Sequence, residues 1–124
     1  MSSITLHEPA DKLSDRTIEL HRAIVSLMEE LEAIDWYSQR SDASKDADLQ
    51  AILRHNMNEE IEHASMTLEW IRRNVDKFDE ALKQYLFTSG DVTTIEEAAK
   101  EGNAKSVKRE NRGMRATLGA MKES

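Results

Sequence analysis

The chain has 124 residues, one third of them charged, with a formal net charge of −7, one proline and no cysteine. This length suits one domain at most, the composition favours solvated helices, and the acidic balance argues against a nucleic-acid partner. Without cysteine, thiolate sites and disulfides are excluded, so any metal site must use carboxylate and imidazole. No stretch approaches the about 18 apolar residues of a membrane span, and no secretory signal is evident, so we expect a cytoplasmic protein.

Two long helices are predicted first along the chain. Ser14 is suited to cap a helix that runs to about Gln39, because aliphatic residues recur at steps of four and three without a Gly or Pro. A polar turn at residues 40–48 precedes a second helix from about Asp48 to Asn74 with the same period. The pattern predicts an antiparallel hairpin. Because a hairpin leaves apolar stripes uncovered, we expect it to associate with a second copy.

Shorter elements are predicted after the hairpin. Asp76 is placed to cap a third helix, which Gly90 closes. Thr94 with Glu97 predicts a capping box for a brief fourth helix that ends at Gly102. These boundaries leave the rest of the chain without a predicted element.

The chain is thus predicted to divide into a helical domain at residues 1–102 and a flexible basic tail at residues 103–124. The tail carries six Lys and Arg against two Glu, whereas the rest carries eleven against twenty-two acidic residues. We expect the tail to be disordered in isolation, apart from a short amphipathic patch at its end. An acidic body with a basic tail suggests separate tasks, such as catalysis and docking.

Three side chains on the hairpin have the spacing of metal ligands. Glu60 and His63 are three residues apart, so they share one face of the second helix, and Thr67 continues this polar edge four residues later. Glu30 shares the face of the packing stripe on the first helix, with Tyr37 seven residues further on. When residues are counted from the turn, Glu30 and the Glu60–His63 pair lie at the same level along the hairpin axis to within about two helical turns.

The same residues also have simpler explanations. A Glu-x-x-His pair arises on helices by chance, and a His beside an apolar stripe is commonly a buried structural side chain. Trp36 and Tyr37 can be core or interface anchors, and the cluster of Glu29, Glu30 and Glu32 can be an ordinary acidic face. Two alternatives therefore stay open: a non-enzymatic helical interaction protein, and a protein whose metal only holds an assembly together.

The number of candidate ligands bears on assembly. Di-iron sites in four-helix bundles use a Glu from each of two helices and a Glu-x-x-His from each of two others. One copy of this chain offers one such Glu and one such pair, which is half a set. A symmetric dimer has an isologous interface and would supply the whole set.

Two blocks of the sequence resemble the encapsulated ferritins. They are Met-Glu-Glu-Leu-Glu-Ala-Ile-Asp-Trp-Tyr at 28–37 and Glu-Glu-Ile-Glu-His-Ala-Ser-Met-Thr-Leu-Glu-Trp at 59–70. The stretch Tyr-Leu-Phe-Thr at 85–88 resembles the third helix of that family, and the likeness extends over most of residues 7–100. The resemblance implies an all-α fold: an antiparallel two-helix hairpin plus a short third helix, dimerising into a ferritin-like four-helix bundle, with five dimers in an open ring.

The resemblance also implies an activity and its residues. It implies a ferroxidase that oxidises Fe(II) with dioxygen as acceptor, at a di-iron site formed between two subunits. Glu30, Glu60 and His63 of both subunits would bind the two irons. Tyr37 would serve as a catalytic neighbour that orients a ligand carboxylate, and Trp36 would lie beside the site.

Metal uptake and storage are implied by the same family. Glu29 and Glu32 match acidic residues that attract incoming metal, and they can also take calcium or other divalent cations. The family works inside an encapsulin nanocompartment, whose shell stores the mineral. Residues 114–122 are similar to peptides that dock on the shell protein, although Ala120 and Met121 depart from the commoner Ser and Leu. The alternative for this segment is a frayed terminus.

Overall fold

The computed structural model describes the backbone of residues 5–113 and the side chains of residues 5–102, and in this part of the chain the regular secondary structure is all helical, with no strand. Its elements are a short 3-10 turn at Ala10–Lys12, α1 (Asp15–Ala43), α2 (Ala47–Asn74), α3 (Asp76–Tyr85) and α4 (Val92–Gly113). The predicted all-α fold is therefore confirmed. Among these helices, none combines the length and the apolar character needed to cross a membrane.

Helix α1 begins where the sequence predicts it. The Ser14 hydroxyl oxygen accepts the backbone N–H of Thr17 at 3.1 Å, which satisfies one of the donors that a helix start leaves free. The helix runs on to Ala43, so the predicted end near Gln39 was too early. The Ser and Asp residues after that point favour a turn, but they also tolerate a helical backbone.

The connection between α1 and α2 spans only residues 44–46, less than the predicted polar turn. The Ser41 hydroxyl donates to the Ser38 carbonyl oxygen at 3.1 Å, and the Gln50 side chain donates to the Ser41 carbonyl oxygen at 2.7 Å. Gln50 thereby supplies a donor to a carbonyl oxygen in the last turn of α1 and links the two helices across the short connection. Asp46 caps α2, because its carboxylate accepts a backbone N–H of the first turn at 2.9 Å.

The two long helices pack side by side and run antiparallel, as predicted. The Arg16 guanidinium, near the start of α1, donates to the Asn74 carbonyl oxygen at the end of α2. This contact joins the open end of the hairpin, and it places a cation at a helix C-terminus, where the helix dipole favours positive charge.

The hydrophobic core of the hairpin is thin. Among the side chains described, the only buried hydrophobic ones are Ala64 and Ile71, at 8% and 1% exposure. Ile24, Leu31 and Ile61 are among the aliphatic residues that recur at steps of four and three, yet they remain 38%, 53% and 43% exposed. The apolar surface is wider than one hairpin covers, and association with a second copy stays a prediction.

A cluster of charged side chains links the end of α2 to the first turn of α3. Arg72 donates two hydrogen bonds to the Glu69 carboxylate, at 2.7 and 2.8 Å, and also bonds to Asp79 on α3. Arg73 donates to the same Glu69 carboxylate at 2.6 Å. The chain leaves α2 at Val75 and re-enters a helix at once. Asp76 is the first residue of α3 and not the cap that was predicted.

The described residues divide into two compact units between Asp79 and Glu80. In the second unit, the chain turns at Phe87 and Gly90, whose φ angles are 60° and 89°. Glycine adopts this left-handed backbone at no steric cost. Gly90 does not close α3 as predicted, because the helix already ends at Tyr85.

Helix α4 departs from the prediction at both ends. Its start is capped by Asp91, whose carboxylate accepts the backbone N–H and the hydroxyl of Thr93 at 2.9 and 2.7 Å. Those bonds also lower the pKa of Asp91. The predicted capping box at Thr94 was therefore wrong.

The predicted end of α4 at Gly102 was also wrong, because the helical backbone continues to Gly113. One glycine inside a helix costs only about 1 kcal/mol, and good helix formers follow it. The predicted docking segment at 114–122 lies outside the described residues. The division of the chain into a domain at 1–102 and a tail at 103–124 stays a prediction.

Candidate metal centre

Glu30 occupies the side of α1 that faces α2. One carboxylate oxygen, Oε1, lies 3.1 Å from the hydroxyl oxygen of Thr67, which donates to it. The other oxygen, Oε2, is buried and has no hydrogen-bond partner among the described residues. A buried carboxylate oxygen without a partner is costly, so a cation or a further hydrogen-bond donor would stabilise it.

Glu60 and His63 form the second half of the candidate site, on α2. His63 Nδ1 lies 3.6 Å from Glu60 Oε1, and the two side chains are 46% and 26% exposed, respectively. This separation is longer than a hydrogen bond, so each group keeps its lone pairs for another partner. A carboxylate and an imidazole on one helix face can then bind the same cation.

Thr67 connects the two halves. It lies one helical turn after His63, and its hydroxyl oxygen is 3.1 Å from the His63 carbonyl oxygen as well as from Glu30. Glu30 is thus about one turn from His63 and about two turns from Glu60 along α2. The predicted agreement in height is confirmed, whereas metal binding by these three residues stays a prediction.

One chain does not assemble a complete set of ligands. Within residues 5–102, no three His, Asp or Glu side chains converge closely enough to hold a metal ion. The donors present, two carboxylates and one imidazole, suit iron, manganese or zinc. Glu30, Glu60 and His63 are thus not brought together as one metal-binding group within the described part of a single chain.

The predicted aromatic neighbours lie near the end of α1. The Arg40 guanidinium carbon is 5.8 Å from the ring centroid of Trp36 and 5.6 Å from that of Tyr37, which are cation–π distances. Sequence reasoning gave Arg40 no role, although its spacing of three and four residues from the rings was a signal. Glu29 and Glu32 are exposed, as expected of residues that turn towards solvent.

Thr67 is the other residue to which sequence reasoning gave no role. Its place on the polar edge of α2 was visible in the sequence. Its contact with Glu30 was not, because it joins residues 37 positions apart on two helices. Such a contact depends on how the helices are rotated about their axes.

Comparison with known proteins agrees with this fold. A sequence model of the EncFtn-like family matches residues 5–89. The "Encapsulated ferritin-like protein" of Rhodospirillum rubrum is 59% identical over 101 residues, covering 82% of this chain and 72% of that protein. The "Encapsulin nanocompartment cargo protein EncC" of Myxococcus xanthus is 37% identical over 111 residues, covering 84% and 85% of the two chains.

A solved structure is similar as well. Protein ne0167 from Nitrosomonas europaea superposes with a TM-score of 0.69 at 57% identity, covering 70% of this chain and 96% of that one. The family match covers more than half of the chain and includes both long helices. The chain therefore belongs to the EncFtn-like family of encapsulated ferritin-like proteins.

Proposed function

We propose that this protein is a ferroxidase. It oxidises Fe(II) to Fe(III) at a di-iron site formed between two copies of the chain, and it delivers iron for storage inside an encapsulin nanocompartment. The observation that carries this proposal is Glu30, whose Oε2 is buried without a partner in the described residues and which lies one turn from His63. Membership of the family supports the iron-related role.

Two copies related by a two-fold axis would provide two each of Glu30, Glu60 and His63. Fe(II) is the substrate, and the carboxylates neutralise its charge and, as hard ligands, favour Fe(III). One His63 would bind each iron ion. Two irons together supply two electrons to dioxygen, which avoids one-electron radical products.

The exposed apolar stripes support the proposal that a second copy of the chain packs against this one. Ile24, Leu31 and Ile61 flank the same helix faces as the candidate ligands, and their side chains remain about 40–50% exposed in one chain. Contact with another hairpin would cover them and would close the site in one step. We extend the proposal to a ring of five such dimers on the basis of the family resemblance.

The neighbouring residues have proposed roles in the same reaction. The Tyr37 hydroxyl donates a hydrogen bond to a ligand carboxylate and so orients that carboxylate. Trp36 lies beside the site. Glu29 and Glu32 are exposed and acidic, so they raise the local concentration of Fe(II) and can also take calcium. The names of two relatives describe an encapsulated protein and a nanocompartment cargo protein, which supports docking of residues 114–122 on a shell protein.

The test is Fe(II) oxidation in air, followed optically. Glu30→Ala and His63→Ala should each reduce the rate to that of Fe(II) without protein. His55→Ala is the matched control, because His55 also pairs with a glutamate on α2, Glu59, at 3.7 Å but is 70% exposed. The control should oxidise Fe(II) like the parent. Parental rates in both of the other variants would contradict the proposal.

Two further measurements separate the alternatives. In the first, Zn(II) is added as a competitor and should inhibit Fe(II) oxidation. In the second, the oligomeric size of the protein is measured with and without iron. A protein that neither binds nor oxidises iron would be an interaction protein. Metal-dependent assembly without oxidation would mean that the metal only holds the copies together.

A further inference from the structure

We infer that Thr67 is a positioning residue for Glu30: its hydroxyl binds carboxylate oxygen Oε1 and leaves Oε2 as the atom that binds metal. This inference rests on the proposed metal-binding role of Glu30. It adds a residue from α2 that binds no metal itself, and it specifies which oxygen of Glu30 is the ligand atom.

The geometry gives the Thr67 hydroxyl two acceptors. Glu30 Oε1 and the His63 carbonyl oxygen both lie 3.1 Å from Oγ1. A hydroxyl has one hydrogen to donate, and an ionised carboxylate accepts a stronger bond than a peptide carbonyl. Donation to Glu30 is therefore the preferred state, and it joins α1 to α2 beside the candidate site.

This bond restricts how Glu30 can meet a cation. A free glutamate side chain samples several rotamers, and fixing it beforehand reduces the entropy that metal binding would otherwise cost. Oε1 already holds a donor, whereas Oε2 is buried and has no partner within the described part of the chain. Glu30 is thereby prepared to bind through one oxygen.

The competing explanation is that Thr67 has only a local structural role. Hydroxyl side chains in helices often donate to the carbonyl oxygen four residues earlier. Ser65 does this on the same helix, where its hydroxyl lies 2.8 Å from the Ile61 carbonyl oxygen. Ser65→Ala therefore removes a bond of that kind without touching Glu30, and it serves as the matched control.

The experiment is a Co(II) titration of the full-length protein, read by calorimetry and by visible absorption. Thr67→Val keeps the shape of the side chain but removes the hydroxyl, and it should weaken Co(II) binding about tenfold, as loss of a residue that orients a metal ligand typically does. Thr67→Ser keeps the hydroxyl and should restore parental affinity. Ser65→Ala should bind like the parent. Thr67→Ala provides the same test if the valine variant does not fold.

A Glu30→Gln variant separates this inference from the proposed function. If Glu30→Gln binds Co(II) as tightly as the parent, the metal-binding role of Glu30 fails and the inference fails with it. If Glu30→Gln loses binding but Thr67→Val binds like the parent, only the inference is overturned. It is also overturned if Thr67→Ser does not restore affinity, or if sedimentation shows that Thr67→Val binds less only because its assembly is lost.

Discussion

Glu69 accepts hydrogen bonds from two guanidinium groups at the corner between α2 and α3. The bonds from Arg72, and then those from Arg73, lower the pKa of Glu69 from 4.5 to about 2. Because the pKa in the folded protein lies below its ordinary value, the ionised carboxylate stabilises the fold above about pH 4.5. That contribution is lost as the pH falls towards 2.

Glu69→Gln should therefore lower the melting temperature at pH 7 and have little effect near pH 2. Thermal unfolding followed by circular dichroism at both pH values measures the difference. Glu62→Gln is the control, since Glu62 is an exposed glutamate on the same helix. A Glu69→Gln deficit of the same size at both pH values would contradict the assignment.

At the residue scale, the sequence predicts which side chains share a helix face and at what level along the hairpin they lie, because helical spacing determines both. The three-residue step from Glu60 to His63 sets their shared face, and counting from the turn sets the height of Glu30. The contact of Thr67 with Glu30 was beyond such reasoning, because it depends on the packing of two helices. The stacking of Arg40 on Trp36 lies within one helix, and its spacing could have revealed it.

Asp46 is the point at which the hairpin reverses. Its carboxylate caps α2 at 2.9 Å, three residues after α1 ends. Asp46→Ala should lower the free energy of unfolding by about 1 kcal/mol, the usual effect of losing such a cap. Asp46→Asn keeps an accepting oxygen and should stay close to the parent. Urea denaturation of both variants measures this, and equal stability of Asp46→Ala and the parent would refute the role of the cap.

At the element scale, the prediction succeeded where a cap and a long apolar period agree. Ser14 marks the start of α1, and the second helix was placed within a residue of its observed bounds, Ala47–Asn74. The errors fall where the signals are weak. The polar residues after Gln39 predict a turn and Gly102 predicts a helix end, but neither interrupts its helix.

At the scale of the whole molecule, two features of the described residues support the proposed second copy. The hairpin buries little apolar surface, with Ile71 the one hydrophobic side chain below 2% exposure among those described. No three acidic or histidine side chains in residues 5–102 converge on one point. A second copy would cover the exposed apolar side chains and would add its own candidate ligands. The number of candidate ligands in the sequence predicts this second copy, but the sequence does not show where the second copy would bind.

The most direct test of this account is whether activity follows assembly. Sedimentation and Fe(II) oxidation in air are measured on the same dilution series of the parent, and on Ile24→Asp, which places a charge on the exposed apolar stripe and replaces none of the candidate ligands. We predict that the oxidation rate per chain falls with the fraction of dimer or larger species, and that monomers are inactive. A monomer that oxidises Fe(II) at the parental rate per chain would contradict the claim that the site is completed by a second copy.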